Sequence, residues 1–176
     1  MSKVKQYVQK RSRVIVLGVG NILFRDEGVG VHVVQKLLRK ELPEDVVIID
    51  GGTATLNALD LIPEQYEDYG HNLIIVDAVK GGGSPGTIYL FTPEDIEHRC
   101  VENSDVFSLH QMSLIEAISI LKFAGRKPES IKVIGIEPSL IDTGLELSED
   151  LRKRLPRIVE FVEGEIYDTL YNRRIL

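Results

Sequence analysis

Short runs of β-branched and aliphatic residues recur along this chain, each too brief for a helix and most followed by a segment of helical periodicity. The runs are Val14–Leu17, Val46–Ile49, Leu73–Val76, Ile88–Phe91 and Lys132–Ile136. They do not alternate cleanly between apolar and polar, which is the mark of strands covered on both faces, as in a mainly parallel sheet. Between them, Val29, Val33, Val34, Leu37 and Leu38 fall on one face of a helix that ends near Pro43. Thr53–Leu61 reads as a second, shorter helix. Leu114, Ile115, Ile118 and Leu121 mark a third, which stops near Gly125 and Pro128. The last helix opens at Ser148, a good N-cap, with Glu149 and Asp150 in the dipole-favoured first turn. Its stripe is Leu151, Leu155, Ile158, Val162, Ile166 and Leu170. Pro156 inside that stripe is expected to kink or split it, and Gly164 to weaken it. The order β-α-β-α-β-β-α-β-α predicts an α/β fold: one domain over residues 13–176, with a twisted, mostly parallel sheet of about five strands and helices on both faces. Residues 1–12 form a basic arm outside it.

Charge narrows the function classes. Against 21 Lys+Arg stand 27 Asp+Glu, a net charge of −6, which excludes an electrostatically driven nucleic-acid binder. Cys100 is the single cysteine, so neither an internal disulfide nor a cysteine-rich metal framework is expected. No apolar stretch approaches the roughly 20 residues of a membrane span. The basic residues Lys3 to Arg13 have no apolar run behind them and do not read as a signal peptide. The expectation is a cytoplasmic protein without membrane insertion.

In open α/β sheets ligands bind beyond the carboxyl ends of the strands. Strand one leads into Gly18–Glu27, strand two into Asp50, strand three into Asp77 and the last into Glu137. Four acids near one sheet edge repel one another, which points to a cation, a cationic substrate group or carboxyl pKa values pushed apart. The plain alternative for Asp50 or Glu137 is a cap on the element that follows. The segment Gly18-Val-Gly-Asn-Ile-Leu-Phe-Arg-Asp-Glu-Gly-Val-Gly30 is not a dinucleotide fingerprint, because the third glycine of that motif would fall at Leu23. It sets Asp26-Glu27 at a helix start, where the dipole holds carboxylates ionised; Asp26 alone would also serve as an ordinary cap. Ser108-Leu-His-Gln111 resembles a capping box and puts His110 in a first helical turn, where neutral imidazole, the metal-binding form, is favoured. A purely structural histidine is the alternative. Gly82-Gly-Ser-Pro-Gly86 matches the hydrolase nucleophile elbow in letters only, since a strand follows it and Pro85 lacks the N–H an oxyanion hole needs. Glu27, Asp77 and His110 together make a two-carboxylate, one-imidazole set suited to a borderline divalent ion such as Ni²⁺ or Zn²⁺ with open positions.

These residues sit in blocks that resemble the hydrogenase maturation protease family, the endopeptidases that trim a C-terminal extension from the large subunit of nickel–iron hydrogenases. The blocks are Gly18-x-Gly-Asn-x-Leu-x-x-Asp-Glu-Gly-x-Gly30, Asp50-Gly-Gly-Thr53, Ile75-Val-Asp-Ala78, Pro85-Gly-Thr87 and His110-Gln111, in that order. The resemblance implies that Glu27, Asp77 and His110 are the metal-binding and catalytic set. It implies that the partner is a hydrogenase large-subunit precursor, and that the Ni²⁺ arrives in that substrate, other divalent ions also fitting the site. The nickel would then chiefly position the scissile bond, or act as Lewis acid or lower the pKa of an attacking water. Asp50 or Asp26 would supply the base, Asp50 being preferred. Two other classes stay open at this point: a non-catalytic nickel- or precursor-binding maturation factor, and a phosphate- or nucleoside-handling α/β enzyme.

Overall fold

The five β-branched runs all become strands, each as long as its apolar run or longer. In the computed structural model, residues 13–53, 71–93, 95 and 128–171 are described. The strands are β1 (Arg13–Val19), β2 (Val46–Gly52), β3 (His71–Ala78), β4 (Ile88–Phe91) and β5 (Ser130–Ile136), with helices α1 (Val29–Leu37) and α2 (Glu149–Tyr171). The sheet order is β2-β1-β3-β5-β4. β1 pairs parallel with β2 and β3, β3 pairs parallel with β5, and β4 closes one edge antiparallel to β5. Strand order therefore reverses between β1 and β3, and the carboxyl ends of those two strands flank the switch point where α/β sheets place ligands.

One face of the sheet offers Val14, Val16, Ile74, Val76, Ile134 and Ile136 to both described helices. α1 contributes Val29, Val33, Val34 and Leu37; α2 contributes Leu151, Leu155, Ile158, Val162 and Ile166. Alternation along the strands turns Ile15, Leu17, Leu73, Ile75 and Val133 to the other face, and these are buried too. That two-sided burial explains why the runs lack polar alternation. The helices expected over residues 53–61 and through Leu114–Leu121 lie, apart from Thr53, outside the described residues, as do the arm 1–12, Cys100 and His110.

Two expectations need correction. Leu38 is not on the buried stripe: α1 stops at Leu37, and Leu38, its C-cap, turns out to solvent at 57% exposure. Of the kink or split expected at Pro156 the split does not occur: α2 runs through it as one helix of 23 residues. Arg152 and Pro156 both face solvent, so water meets the carbonyl that loses its partner while the apolar stripe holds the helix to the sheet. Ser148 caps that helix as expected, its Oγ accepting from the Leu151 amide at 3.3 Å. Lys132 of β5 reaches Glu165 at 2.8 Å and Thr169 at 3.2 Å, pinning the far half of α2 to the sheet.

Gly164 is exposed inside α2, and a methyl group there would meet no atom within 4 Å. Gly164→Ala should therefore stabilise the protein by about 1 kcal/mol through helix propensity alone. In urea unfolding the midpoint should rise at constant m; a midpoint unchanged or lowered would contradict this.

Candidate active site

After β1 the chain makes a tight turn in which Asn21 takes the Leu23 amide on its side chain at 2.9 Å and the Phe24 amide on its carbonyl at 3.0 Å. A single 3₁₀ turn, Arg25–Gly28, then leads into α1. Two glycines make this path possible. At Gly20, with φ at +137°, a Cβ would lie 2.0 Å from the Glu27 carbonyl oxygen. At Gly30 it would lie 2.1 Å from the Val76 carbonyl oxygen and 2.3 Å from that of Val19. The head of α1 thus rests directly on the ends of β1 and β3, which is why Glu27 arrives at the switch point.

Asp26, beside it, is fully buried and is not the cap of its own helix. Its Oδ2 accepts from the amides of Ser139 and Leu140 at 2.9 and 2.8 Å, and its Oδ1 from that of Ser148 at 2.7 Å. Backbone bonds reinforce the join: Arg25 N–H to the Gly144 carbonyl at 2.8 Å, and Gly144 N–H to the Leu23 carbonyl at 2.9 Å. Asp26 is a tether between two loops, which removes it as a candidate base.

Asp77, at the end of β3, is 5% exposed. Its Oδ1 accepts from the Ala78 amide at 2.8 Å. Burial pushes its pKa from 3.8 up to about 7, the Ala78 bond opposes that rise, and the Glu27 carboxylate adds to it. The acids from the first loop and the third strand are thus near enough for the charge of one to act on the other. Such a pair fits a divalent cation, whose charge would offset the repulsion and favour the ionised form of Asp77. The third expected ligand, His110, lies outside the described residues. Among the described residues, no three His, Cys, Asp or Glu side chains gather as a metal-holding cluster.

Asp50 stands apart on the edge strand β2, exposed, opposite Gly18 of β1. Gln35 of α1 donates to its Oδ2 at 3.2 Å and the Gly52 amide to its Oδ1 at 3.1 Å. His32 was not marked by any motif, yet it lies one turn before Gln35 and feels both Asp26 and Asp50. Burial and Lys36 nevertheless lower its pKa, and its Nε2 is buried without a hydrogen-bond partner among the described residues. The only hint in the sequence was the i, i+3 spacing of His32 and Gln35.

Glu137, just past β5, does not cap a helix. Its Oε2 accepts from the amides of Gly81 and Gly83 at 2.7 and 3.2 Å and from the Tyr89 hydroxyl at 2.6 Å, fixing the glycine-rich turn. Partial burial, followed by this bond, raises the Tyr89 pKa. Ser84 is a turn residue, its carbonyl taking the Thr87 amide and hydroxyl at 2.9 and 2.7 Å.

The hydrogenase maturation protease profile matches residues 31–165. The chain is 37% identical over 150 residues to the hydrogenase expression/formation protein HupD of Rhizobium leguminosarum bv. viciae, covering 84% of this chain and 71% of that one. It is 32% identical over 152 residues to the hydrogenase 2 maturation protease of Escherichia coli, covering 85% and 88%. The solved hydrogenase maturating endopeptidase HybD of E. coli superposes with a TM-score of 0.72 at 29% identity, over 89% of this chain and 93% of that one. This chain belongs to the hydrogenase maturation protease family. It is an endopeptidase of that family, and the readings as a non-catalytic factor or a phosphate-handling enzyme fall. The matched span includes Asp50, Asp77 and His110, whereas Glu27 lies just before it.

Asp77 gives this protease a pH signature. Between pH 3.8 and about 7 the folded protein holds a proton that the unfolded chain has released, so stability falls as pH rises through that window and levels off above it. Asp77→Asn should abolish the slope and, in chelator, make the protein more stable than wild type at pH 8; urea midpoints from pH 4.5 to 8 read this out, and parallel curves would refute it. Asp26→Asn places an amide donor against amide donors and should cost about 2–3 kcal/mol, measured as a lowered urea midpoint.

Proposed function

We propose that this endopeptidase removes the C-terminal extension of a nickel-loaded hydrogenase large-subunit precursor in the cytoplasm, with Glu27, Asp77 and His110 meeting the nickel that the precursor carries. The observation that supports this most is the buried Asp77 carboxyl at the β1–β3 switch point, on which the charge of Glu27 acts. A lone buried acid needs hydrogen bonds, and Asp26 and Glu137 each have three donors among the described residues. Asp77 takes one amide and a second carboxylate for company. That arrangement is poor for stability and well suited to a cation delivered from outside.

In this reading the nickel marks a precursor ready for cutting and fixes the scissile peptide against the protease, an orientational gain that can reach several kcal/mol. Asp50 is the base. It is the strand-end acid that combines solvent access with a fixed orientation, through Gln35 and Gly52. It would take a proton from water as the oxygen attacks the scissile carbonyl; the C–N bond then breaks and the leaving amine takes that proton. No helix among the described residues is long and apolar enough to cross a membrane.

Glu27→Gln tests the ligand assignment with little change of shape. Even residues that only support a metal ligand are worth roughly 10–100-fold, so this variant should fold normally and lose at least that much processing of nickel-loaded precursor. Mass spectrometry of the precursor after incubation reports the loss of the extension. Cleavage at the wild-type rate would remove Glu27 from the site.

A further inference from the structure

Of the eleven large hydrophobic side chains exposed among the described residues, six lie on the two loops that Asp26 joins. They are Ile22, Leu23, Phe24, Leu140, Ile141 and Leu145, with exposures from 39% to 65%. The others are scattered over the end of α1, β4 and α2. Concentrating apolar side chains on a surface costs solubility and marks an interaction site. These loops are also rigid: Phe24 and Gly144 form a β-bridge, and three amides converge on the buried Asp26. The apolar face is therefore built in advance of any partner.

Leu140 and Ile141 also line a cavity of about 370 Å³, with Lys80 and Glu137 among its other walls. That wall is tied to the acidic pair at two points: Lys80 follows Asp77 by three residues, and the Leu140 amide is bonded to Asp26, the residue before Glu27. Arg25 is the sole basic residue in segments 21–28 and 138–148. It holds a left-handed backbone, φ +48°, unusual for a side chain of its size. Its side chain lies across Gly144, where a Cβ would come within 3.0 Å of Nε and Cζ. Its Nε is buried without a hydrogen-bond partner among the described residues and the residue as a whole is half-buried, so its guanidinium is the one cationic group that these two segments hold.

We propose that this face and its cavity seat the stretch of polypeptide substrate beside the scissile bond: an extended segment that puts an apolar side chain against Leu140 and Ile141, packs along Ile22–Phe24, and gives a carbonyl or carboxylate oxygen to the Arg25 guanidinium. Guanidinium recognition of such an oxygen is a charge-assisted bond, and it supplies the polar fixing that an apolar groove lacks. The seat rests on the precursor-processing reading and adds to it the surface that reads the client's chain.

The test uses the full chain with nickel-loaded precursor, comparing Arg25→Gln and the double variant Leu23→Ser/Leu140→Ser with Leu38→Ser, an exposed apolar residue elsewhere. Binding to immobilised precursor and the kinetics of its shortening are measured separately, with thermal melts to establish folding. The first two variants should bind at least about tenfold more weakly and raise KM to match, with kcat within about twofold of wild type. Leu38→Ser should change neither. Unchanged precursor binding in both face variants would overturn the seat while leaving the cleavage reading intact. So would loss in those variants of a concentration-dependent dimer with precursor binding retained, which assigns the face to a second copy of this chain. A wild-type chain that binds precursor but never shortens it overturns the cleavage reading, and weakened binding by the face variants would still uphold the seat.

Discussion

A carboxylate with no access to solvent, Asp26, takes the backbone amides of residues 113, 114 and 122 positions further along the chain. Amide donors on an ionised acceptor are among the stronger hydrogen bonds a protein makes, and here they join the turn after β1 to the loop between β5 and α2. The glycines of the first loop let α1 sit down on the ends of β1 and β3. Asp26 then closes the other side of the same loop. The backbone at Glu27 is held between these two constraints. The apolar face of the loops, the cavity and the acidic pair all derive from that junction.

Four carboxylates at one end of a sheet look equivalent in a sequence, and the structure sorts them by surroundings alone. Asp26 and Glu137 accept several hydrogen bonds each and organise loops. Asp50 is exposed and oriented. Asp77 is buried beside another acid and carries the raised pKa. Environment assigning opposite roles to chemically identical groups is a general feature of active sites. The two satisfied acids shape the surroundings of that edge as well: Glu137 fixes the turn that follows β3, and Asp26 the loop that follows β5.

The strands were legible because burial on both faces writes an unbroken apolar run, and the ends of those runs pointed to Asp50, Asp77 and Glu137 before any coordinates. That Glu27 and Asp77 come to one end of the sheet was legible for the same reason, since the ligand edge of an α/β sheet follows from strand direction. What Asp26 and Glu137 do was not legible. Their partners are amides, which carry no residue identity, and those partners lie far off in the chain. Pro156 misled because a periodic stripe tells which residues are buried and leaves unsaid that the carbonyl orphaned by a proline can face water. Leu38 misled because an apolar residue one position past a helix end still fits the stripe. His110, read from its capping-box setting and its block, lies outside the described residues, so the third member of the set rests on the sequence.

The acidic pair also bears on stability. Burying Asp77 against Glu27 works against folding at neutral pH, and a fold accepts such a group only where the rest of the structure compensates. Here the compensation is nearby: the core that α1 and α2 build on β1, β3 and β5 runs past Asp77 on either side, through Val76, Ala78 and Ile136, and the Asp26 junction holds the first loop. A cation entering beside Asp77 and Glu27 would gain in proportion to its positive charge. A neutral peptide gains nothing there, which is the physical sense in which such a site would tell a metal-bearing substrate from an empty one.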